Sequence, residues 1–449
     1  MRLLAALLTL LAAGPARADE LQEDLVAPRG IGRAGAVTVS EDGGAALLLD
    51  PGALARRGGR RLQLAVAVHD RDARFRASDA PDSPAIADRG PAATFPLLAF
   101  AAELGPIIAA AAYLETGDLE RALPAPAFDQ PGADVLRLYP HRYAGTALGF
   151  HRRTLAAGAA VRATSWLGLG AAVTASDVSL SETRTAWGGF SGRLEELGDP
   201  EYDLELHLTG ADHFVPGASA GALIAPAELP LEMALSVQWS TAAALSGDAE
   251  IRSTRSTQGD NQGPGTGTTS LASPLTARAG LRYLGDRILA EAGGELTFYP
   301  GEPDQRDWTL TGVAVVDRQN IPYHPASAPS LIAQRDHAAV RAAVDVEVAR
   351  GFLWLTAGYA YRTPACPRAR LSPVAGDLGG HTLAAGAEGQ LDQITFTIGY
   401  ARTWAAAVIP ETTDVWIVDP FGGDTGPSAL GRHDRAVDSF GAALEVAWE

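Results

Sequence analysis

From Arg61 onward the chain alternates with a period of two, and one of the two faces is oily. In Leu231 to Ser240, Leu231, Met233, Leu235, Val237 and Trp239 point one way, while Glu232, Ser236, Gln238 and Ser240 point the other. Tyr202 to Thr209 sets Leu204, Leu206 and Leu208 against Asp203, Glu205, His207 and Thr209. Val340 to Val348 sets a valine-rich face against Arg341, Asp345 and Glu347. Only an extended strand separates side chains this way, since successive Cβ atoms leave opposite faces of the pleat. Alternation alone fits a soluble sandwich as well as a membrane barrel, so the turns must arbitrate.

Candidate strands fall near 61–69, 94–103, 106–115, 143–163, 166–180, 202–225, 230–245, 274–284, 287–299, 336–348, 352–362, 379–390, 392–404 and 436–448. Tight connections at Leu104-Gly105, Gly285-Asp286, Ala349 to Gly351 and Leu391 alternate with polar loops at 70–93, 116–142, 246–273, 300–335 and 405–435. Pro96 to Leu114 is apolar enough to mimic a membrane helix. Its centre, Glu103-Leu104-Gly105-Pro106, reads instead as a hairpin turn. The sorting of short and long connections to opposite ends, with an even strand count, describes an outer-membrane barrel. The expected fold is all-β: a 14-stranded antiparallel transmembrane β-barrel. Closure satisfies every backbone donor and acceptor in hydrocarbon and leaves no sheet edge. The last strand places Phe440, Leu444, Val446 and Trp448 on one face, with an aromatic at the periplasmic interface; Glu449 departs from the terminal aromatic expected of such barrels.

The start of the chain agrees. Met1-Arg2, the apolar run Leu3 to Ala13 and Ala16-Arg17-Ala18 have the form of a secretory signal, so residues 1–18 read as a signal peptide and the mature chain as beginning at Asp19. The formal charge is 36 − 53 = −17, which speaks against a nucleic-acid partner. Every basic residue is arginine, which removes Schiff-base and Walker-type lysine chemistry. The single cysteine, Cys366, excludes an internal disulfide and a cysteine-rich metal site. No His-Glu-x-x-His motif is present, the nine histidines are scattered, and no cofactor is implied.

Residues 19–60 do not alternate. They are rich in glycine and small residues, from Arg29-Gly30-Ile31-Gly32-Arg33-Ala34-Gly35-Ala36 to Asp50-Pro51-Gly52-Ala53-Leu54-Ala55, and precede the barrel proper at 61–449. This stretch resembles the N-terminal hatch of the FadL/TodX outer-membrane transporters of long-chain fatty acids and hydrocarbons. Tyr139-Pro140-His141-Arg142-Tyr143, Leu281 to Arg287 and Leu355 to Tyr361 are similar to runs of that family too. The family's Asn-Pro-Ala turn stands here as Asp50-Pro51-Gly52. The resemblance implies an N-terminal plug (hatch) in the lumen built on Gly30, Gly32, Gly35, Asp50 and Pro51. It further implies a ligand pocket in the lumen and escape of greasy substrates through a lateral opening in the wall.

Several motifs admit a second reading. Gly30-Ile31-Gly32-Arg33-Ala34-Gly35 matches the dinucleotide fingerprint but lacks the preceding strand that motif needs, so backbone bends in the plug are expected. Gly217-Ala218-Ser219-Ala220-Gly221 matches a serine nucleophile elbow, yet strand, sharp turn and helix do not follow one another there. Arg278, Arg282 and Arg341 would point inward opposite Glu291, Glu295, Asp345 and Glu347. They form either a charge-paired brace or, with one arginine left over, a grip for a fatty carboxylate. Asp414, Asp419 and Asp424 read as a solvated acidic loop, with divalent bridging to lipopolysaccharide as the alternative. The expected function is passive uptake of a hydrophobic, fatty acid-like small molecule across the cell outer membrane by a monomeric, non-enzymatic barrel. A general diffusion porin and an outer-membrane lipid hydrolase around Ser219 are the alternatives.

Overall fold

A computed structural model describes residues 27–78, 83–127, 132–188, 199–253, 265–299, 306–316, 321–420, 426–428 and 430–448. The signal-peptide reading, Asp424 and Glu449 lie outside them. Fourteen antiparallel strands form one closed barrel. In chain order they are β1 Arg60–Ala77, β2 Ala93–Leu104, β3 Ile107–Ala122, β4 Ala147–Arg162, β5 Leu167–Trp187 and β6 Asp203–Ile224. Four strands then run in two collinear pieces each: β7 Leu231–Ser240 with Ala243–Ser253, β8 Gly265–Leu271 with Leu275–Leu284, β9 Ile288–Phe298 with Asp307–Thr311, and β10 Ser327–Pro329 with His337–Ala349. The series ends with β11 Leu353–Arg362, β12 Gly380–Leu391, β13 Ile394–Trp404 and β14 Gly431–Trp448. Eighteen residue pairs, from Arg60↔Trp448 to Ala77↔Gly431, join β1 to β14 and close the wall.

The cylinder is oily outside and charged inside. On β7 Leu235 is 50% exposed while its neighbour Ala234 is 0% exposed, and Glu232 is buried. Leu62, Leu64, Val66, Leu98, Phe100, Leu355, Ile398 and Leu444 continue the outward apolar band around the wall. A water-soluble protein inverts this arrangement, whereas hydrocarbon solvates it without cost. No helix of the described residues is long and apolar enough to cross a membrane.

The strands run further into the long loops than the alternation indicates, and the reason is a reversal of polarity. On β1 the outward series Leu62, Leu64, Val66 becomes Asp70, Asp72, Arg74, Arg76, while the inward residues turn from Arg61 and Gln63 to Ala73, Phe75 and Ala77. The second piece of β7 behaves likewise, with Leu245, Ala249 and Ile251 inside and Ser246 and Asp248 outside. Past the hydrocarbon the sheet stands in water, and the ordinary rule returns. The inside of the barrel at this end is therefore an apolar core. Phe75, Phe150, Leu208, Leu245 and Ile251 meet Trp308 of β9 and Leu331 and Val374 from the inserted loops.

One buried ion pair pins the long β3–β4 loop, which carries the helix α1 Gly132–Leu138. Arg142 Nε donates to Asp203 Oδ2 at 2.7 Å and the Tyr143 hydroxyl to Asp203 Oδ1 at 2.5 Å, with all three side chains buried. Asp203→Ala takes the paired carboxylate from a buried guanidinium, at an expected cost of about 3–5 kcal/mol. Limited proteolysis reads this as new cleavage within 132–146; an unchanged digestion pattern would show the pair to be dispensable.

Candidate functional site

Residues 27–59 run along the inner face of the wall, almost wholly buried. The contacts are backbone against backbone, made possible by wall glycines that face one another across strands. Gly386, Gly399 and Gly441 are in register on β12, β13 and β14. The helical turn Pro28–Gly32 lies on them so closely that a Cβ on Gly399 would sit 2.6 Å from the Gly32 nitrogen. Gly280 and Gly293, paired on β8 and β9, face Thr38 and Val39. Gly170 and Gly221, paired on β5 and β6, receive Asp50-Pro51-Gly52: a Cβ on Gly170 would fall 2.3 Å from the Pro51 carbonyl carbon. Any larger residue would hold the segment off the wall.

Wall side chains complete the seat. Ser219 Oγ donates to Leu47 O at 2.5 Å, Ser236 Oγ donates to Leu49 O, and Gln63 Oε1 accepts from Gly44 N at 2.8 Å. Glu291 accepts from Val39 N at 2.7 Å, and Arg61 donates to Asp42 O at 2.7 Å. Ser219 thus sits in the middle of β6, with neither a sharp turn nor a helix after it. Its elbow-like sequence packs the wall.

Charges lock the same interface. Arg33 reaches Asp345 at 2.7 Å and Glu291 at 3.6 Å; Arg29 reaches Glu388 at 2.8 Å and Asp42 at 3.2 Å. Arg57 bridges Asp42 at 3.0 Å and Glu445 at 3.2 Å, and Arg56 meets Glu232 at 2.8 Å. Four arginines of the segment consequently hold carboxylates of β7, β9, β10, β12 and β14. The pairing expected among the wall arginines changes accordingly. Arg278 Nε donates to Glu295 at 2.7 Å and Arg341 Nη2 to the other Glu295 oxygen at 3.3 Å, so both share one carboxylate. Asp345 is taken by Arg33, and Glu347 accepts from Gly351 N at 2.5 Å. Arg282 faces Glu232 at 3.5 Å. Sequence offered no sign of Arg29, Arg33, Arg56 and Arg57 as partners, because the path of a non-periodic segment cannot be read from spacing.

Asp50 opens the 3₁₀ turn Pro51–Arg56, accepting from Gly52 N at 3.0 Å through Oδ1, while Oδ2 is buried without an acceptor role. Burial pushes its carboxyl up to about 7, opposed by the Gly52 N–H and the Arg56 charge. The seated segment therefore keeps a proton that a released one, titrating near ~4, gives up. Seating is fully supported below that lower value and weakens as pH rises through about 7. Asp50→Asn keeps the Oδ1 acceptor and removes the charge. In hydrogen exchange, protection of the 52–56 amides, corrected for intrinsic rates, is expected to fall between pH 5 and 8 in the parent and to stay level in Asp50→Asn. Equal pH dependence in both would refute the assignment.

Two cavities lie within the barrel. The first, about 70 Å³ and nearer the long loops, is lined by Phe150, Val178 and Leu271 together with Arg152, Gln238 and Arg278. The second, about 100 Å³ and nearer the short turns, is bordered by Arg33, Arg56, Arg282, Asp345, Leu289 and Trp354. In the wall itself, β2 pairs with β1 from Ala93 onward but with β3 only from Leu97 onward. Pro96 brings no N–H there, and β3 shifts register between Glu115 and Gly117. Thr94 N donates instead to the Asp118 carboxylate at 2.7 Å. Among the described residues no group of histidines, cysteines or carboxylates is placed to hold a metal ion. Cys366 is buried in a loop, away from both cavities.

No family model and no curated protein matches the sequence. The fold is shared with solved structures. A Pseudomonas aeruginosa FadL homologue aligns with a TM-score of 0.72 at 15% identity over 97% of this chain and 100% of its own. The Pseudomonas putida toluene transporter TodX aligns at 0.66 and 13%, over 91% and 94%. The monoaromatic hydrocarbon channel CymD aligns at 0.65 and 12%, over 95% and 99%. At such identities the likeness speaks for the fold.

Proposed function

We propose that this chain is an outer-membrane transporter of the FadL/TodX type, taking up long-chain fatty acids or similar hydrophobic molecules passively and catalysing no reaction. The observation that carries the reading is the seated N-terminal segment. A barrel with residues 27–59 held against its wall at Gly170, Gly221, Gly386, Gly399 and Gly441 has a hatch, where a diffusion porin needs an open polar bore. The apolar core at the loop end suits a greasy ligand, which would enter there and meet Arg152, Gln238 and Arg278 in the first cavity. Arg278, Arg282 and Arg341 stand along the way and orient a carboxylate. The thinned pairing of β2 and β3 beside the register shift of β3 offers a sideways exit into the bilayer. The shared fold with a FadL homologue and with hydrocarbon channels supports the same reading. The barrel acts alone, among lipid and lipopolysaccharide.

Uptake of radiolabelled oleate by cells carrying the protein, compared with cells carrying an empty vector, tests it together with conductance in planar bilayers. Facilitated uptake with little ion current is the expected pair of results. A large, constantly open current without oleate uptake would return the barrel to the porin class, and Ser219-dependent hydrolysis of phospholipid micelles would make it a hydrolase.

A further inference from the structure

The apolar mouth of the lumen is filled by the chain itself. Leu331, from the 330–336 connection between the two pieces of β10, and Val374, from the loop between β11 and β12, are 4% and 0% exposed. They meet over the backbone of Gly145, where a Cβ would collide with Val374 and lie 3.1 Å from Leu331. Gln334 of the same connection lines the first cavity, so 330–336 reaches from the mouth to that cavity. Two wall side chains hold the arrangement. Glu182 of β5 accepts from Ser330 Oγ at 2.5 Å and from Leu331 N at 2.9 Å, and Arg121 of β3 donates to Pro373 O at 3.1 Å. Two residues along β5 from Glu182, on the same inward face, Arg184 is 2% exposed. Its Nε and Nη2 have no acceptor among the described residues. Glu182 and Asp307 stand near it without forming an ion pair, and Arg370 adds a like charge. A buried guanidinium in that position is costly, and Glu182, which would answer it, is committed to 330–331.

We propose that Leu331 and Val374 occupy an entry site for the apolar part of the cargo, and that Glu182 opens it by exchanging Ser330 and Leu331 for Arg184. The inference rests on the transport reading and deepens it. The first station is a dry site in the cluster of Phe75, Phe150, Leu208 and Trp308, and its ligand needs no charged or hydrogen-bonding group. A hydrocarbon tail that takes the place of Leu331 keeps the same apolar surface covered, so the exchange sacrifices little burial. The ion pair formed by Glu182 and Arg184 offsets the two hydrogen bonds given up. One carboxylate thus has two alternative sets of partners, and the closed and entered forms each satisfy one of them.

The test follows the full chain in lipid nanodiscs by hydrogen exchange of the peptide 328–336, which carries the Leu331 N–H. Dodecane, an uncharged probe, is expected to speed exchange there in the parent protein. Arg184→Met removes the second partner and leaves the Glu182 bonds to Ser330 and Leu331 intact. It is expected to slow exchange about tenfold, the weight of one charged hydrogen bond, and to blunt the response to dodecane. Arg184→Lys, which restores the charge, is expected to recover part of both. Unchanged exchange in Arg184→Met, or dodecane that leaves 328–336 as protected as before, would overturn the entry site. Uptake of radiolabelled oleate keeps the two readings apart. Parent cells that take up none would remove the transport reading itself, whereas parent uptake with no slowing in Arg184→Met would leave that reading standing and sink the exchange at Glu182.

Discussion

Glu295→Ala is expected to destabilise the barrel by about 3–5 kcal/mol. Glu295 is the shared counter-ion of Arg278 and Arg341, with distances of 2.7 and 3.3 Å and all three side chains buried. Removing it leaves two guanidinium groups facing each other from β8 and β10 with no charge between them. Arg278 keeps Gln238 at 2.8 Å and a long contact to Leu48 O at 3.4 Å, neither of which neutralises it. Urea unfolding in detergent measures the loss. Adding Arg341→Met to Glu295→Ala is expected to recover part of it, because the repulsion between the two guanidinium groups goes with the arginine; additive losses in the double variant would contradict the shared-carboxylate account.

Gly170→Leu is expected to unseat residues 51–56 altogether. Its first added carbon would already lie 2.3 Å from the Pro51 carbonyl and 2.7 Å from Gly52 N, where Asp50-Pro51-Gly52 lies directly against the paired backbones of β5 and β6. Overpacking on this scale costs at least about 1–3 kcal/mol, and each ~1.4 kcal/mol shifts the balance of seated and released forms tenfold. Single-channel recording should then show ion currents absent from the parent, and protease should cut within 27–59. Gly294→Ala serves as the control, since the new carbon there meets only Ala339 O at 3.7 Å. A silent, protease-resistant Gly170→Leu would mean that the seat does not depend on wall glycines.

The strand count and the short turns were legible because both are properties of neighbouring residues: alternation marks Leu231 to Ser240 and a tight turn marks Gly285-Asp286. What escaped required knowledge of height or of partners. Asp70 to Arg76 alternates as faithfully as Leu62 to Val66, but with polarity reversed, and a polar stretch beyond the membrane band reads as loop until the sheet is seen to continue. Gly386, Gly399 and Gly441 look like weak points of three separate strands; only register brings them side by side under Pro28–Gly32. Of the acids set opposite the wall arginines, Glu295 does pair with Arg278 and Arg341, whereas Arg282 turns to Glu232 and Asp345 goes to Arg33, which arrives from a segment without periodicity.

The seam between the first and last strands sets the order in which this molecule can be completed. Strand β1 leaves the segment at Gly59 and must wait for β14, the last to be synthesised, before its outer row of amide and carbonyl groups is satisfied. Until then two raw edges, each the length of a full strand, stay open to other chains. Residues 27–59 lead directly into one of those edges, at Arg60, so the buried segment and the closing seam meet at one point of the wall.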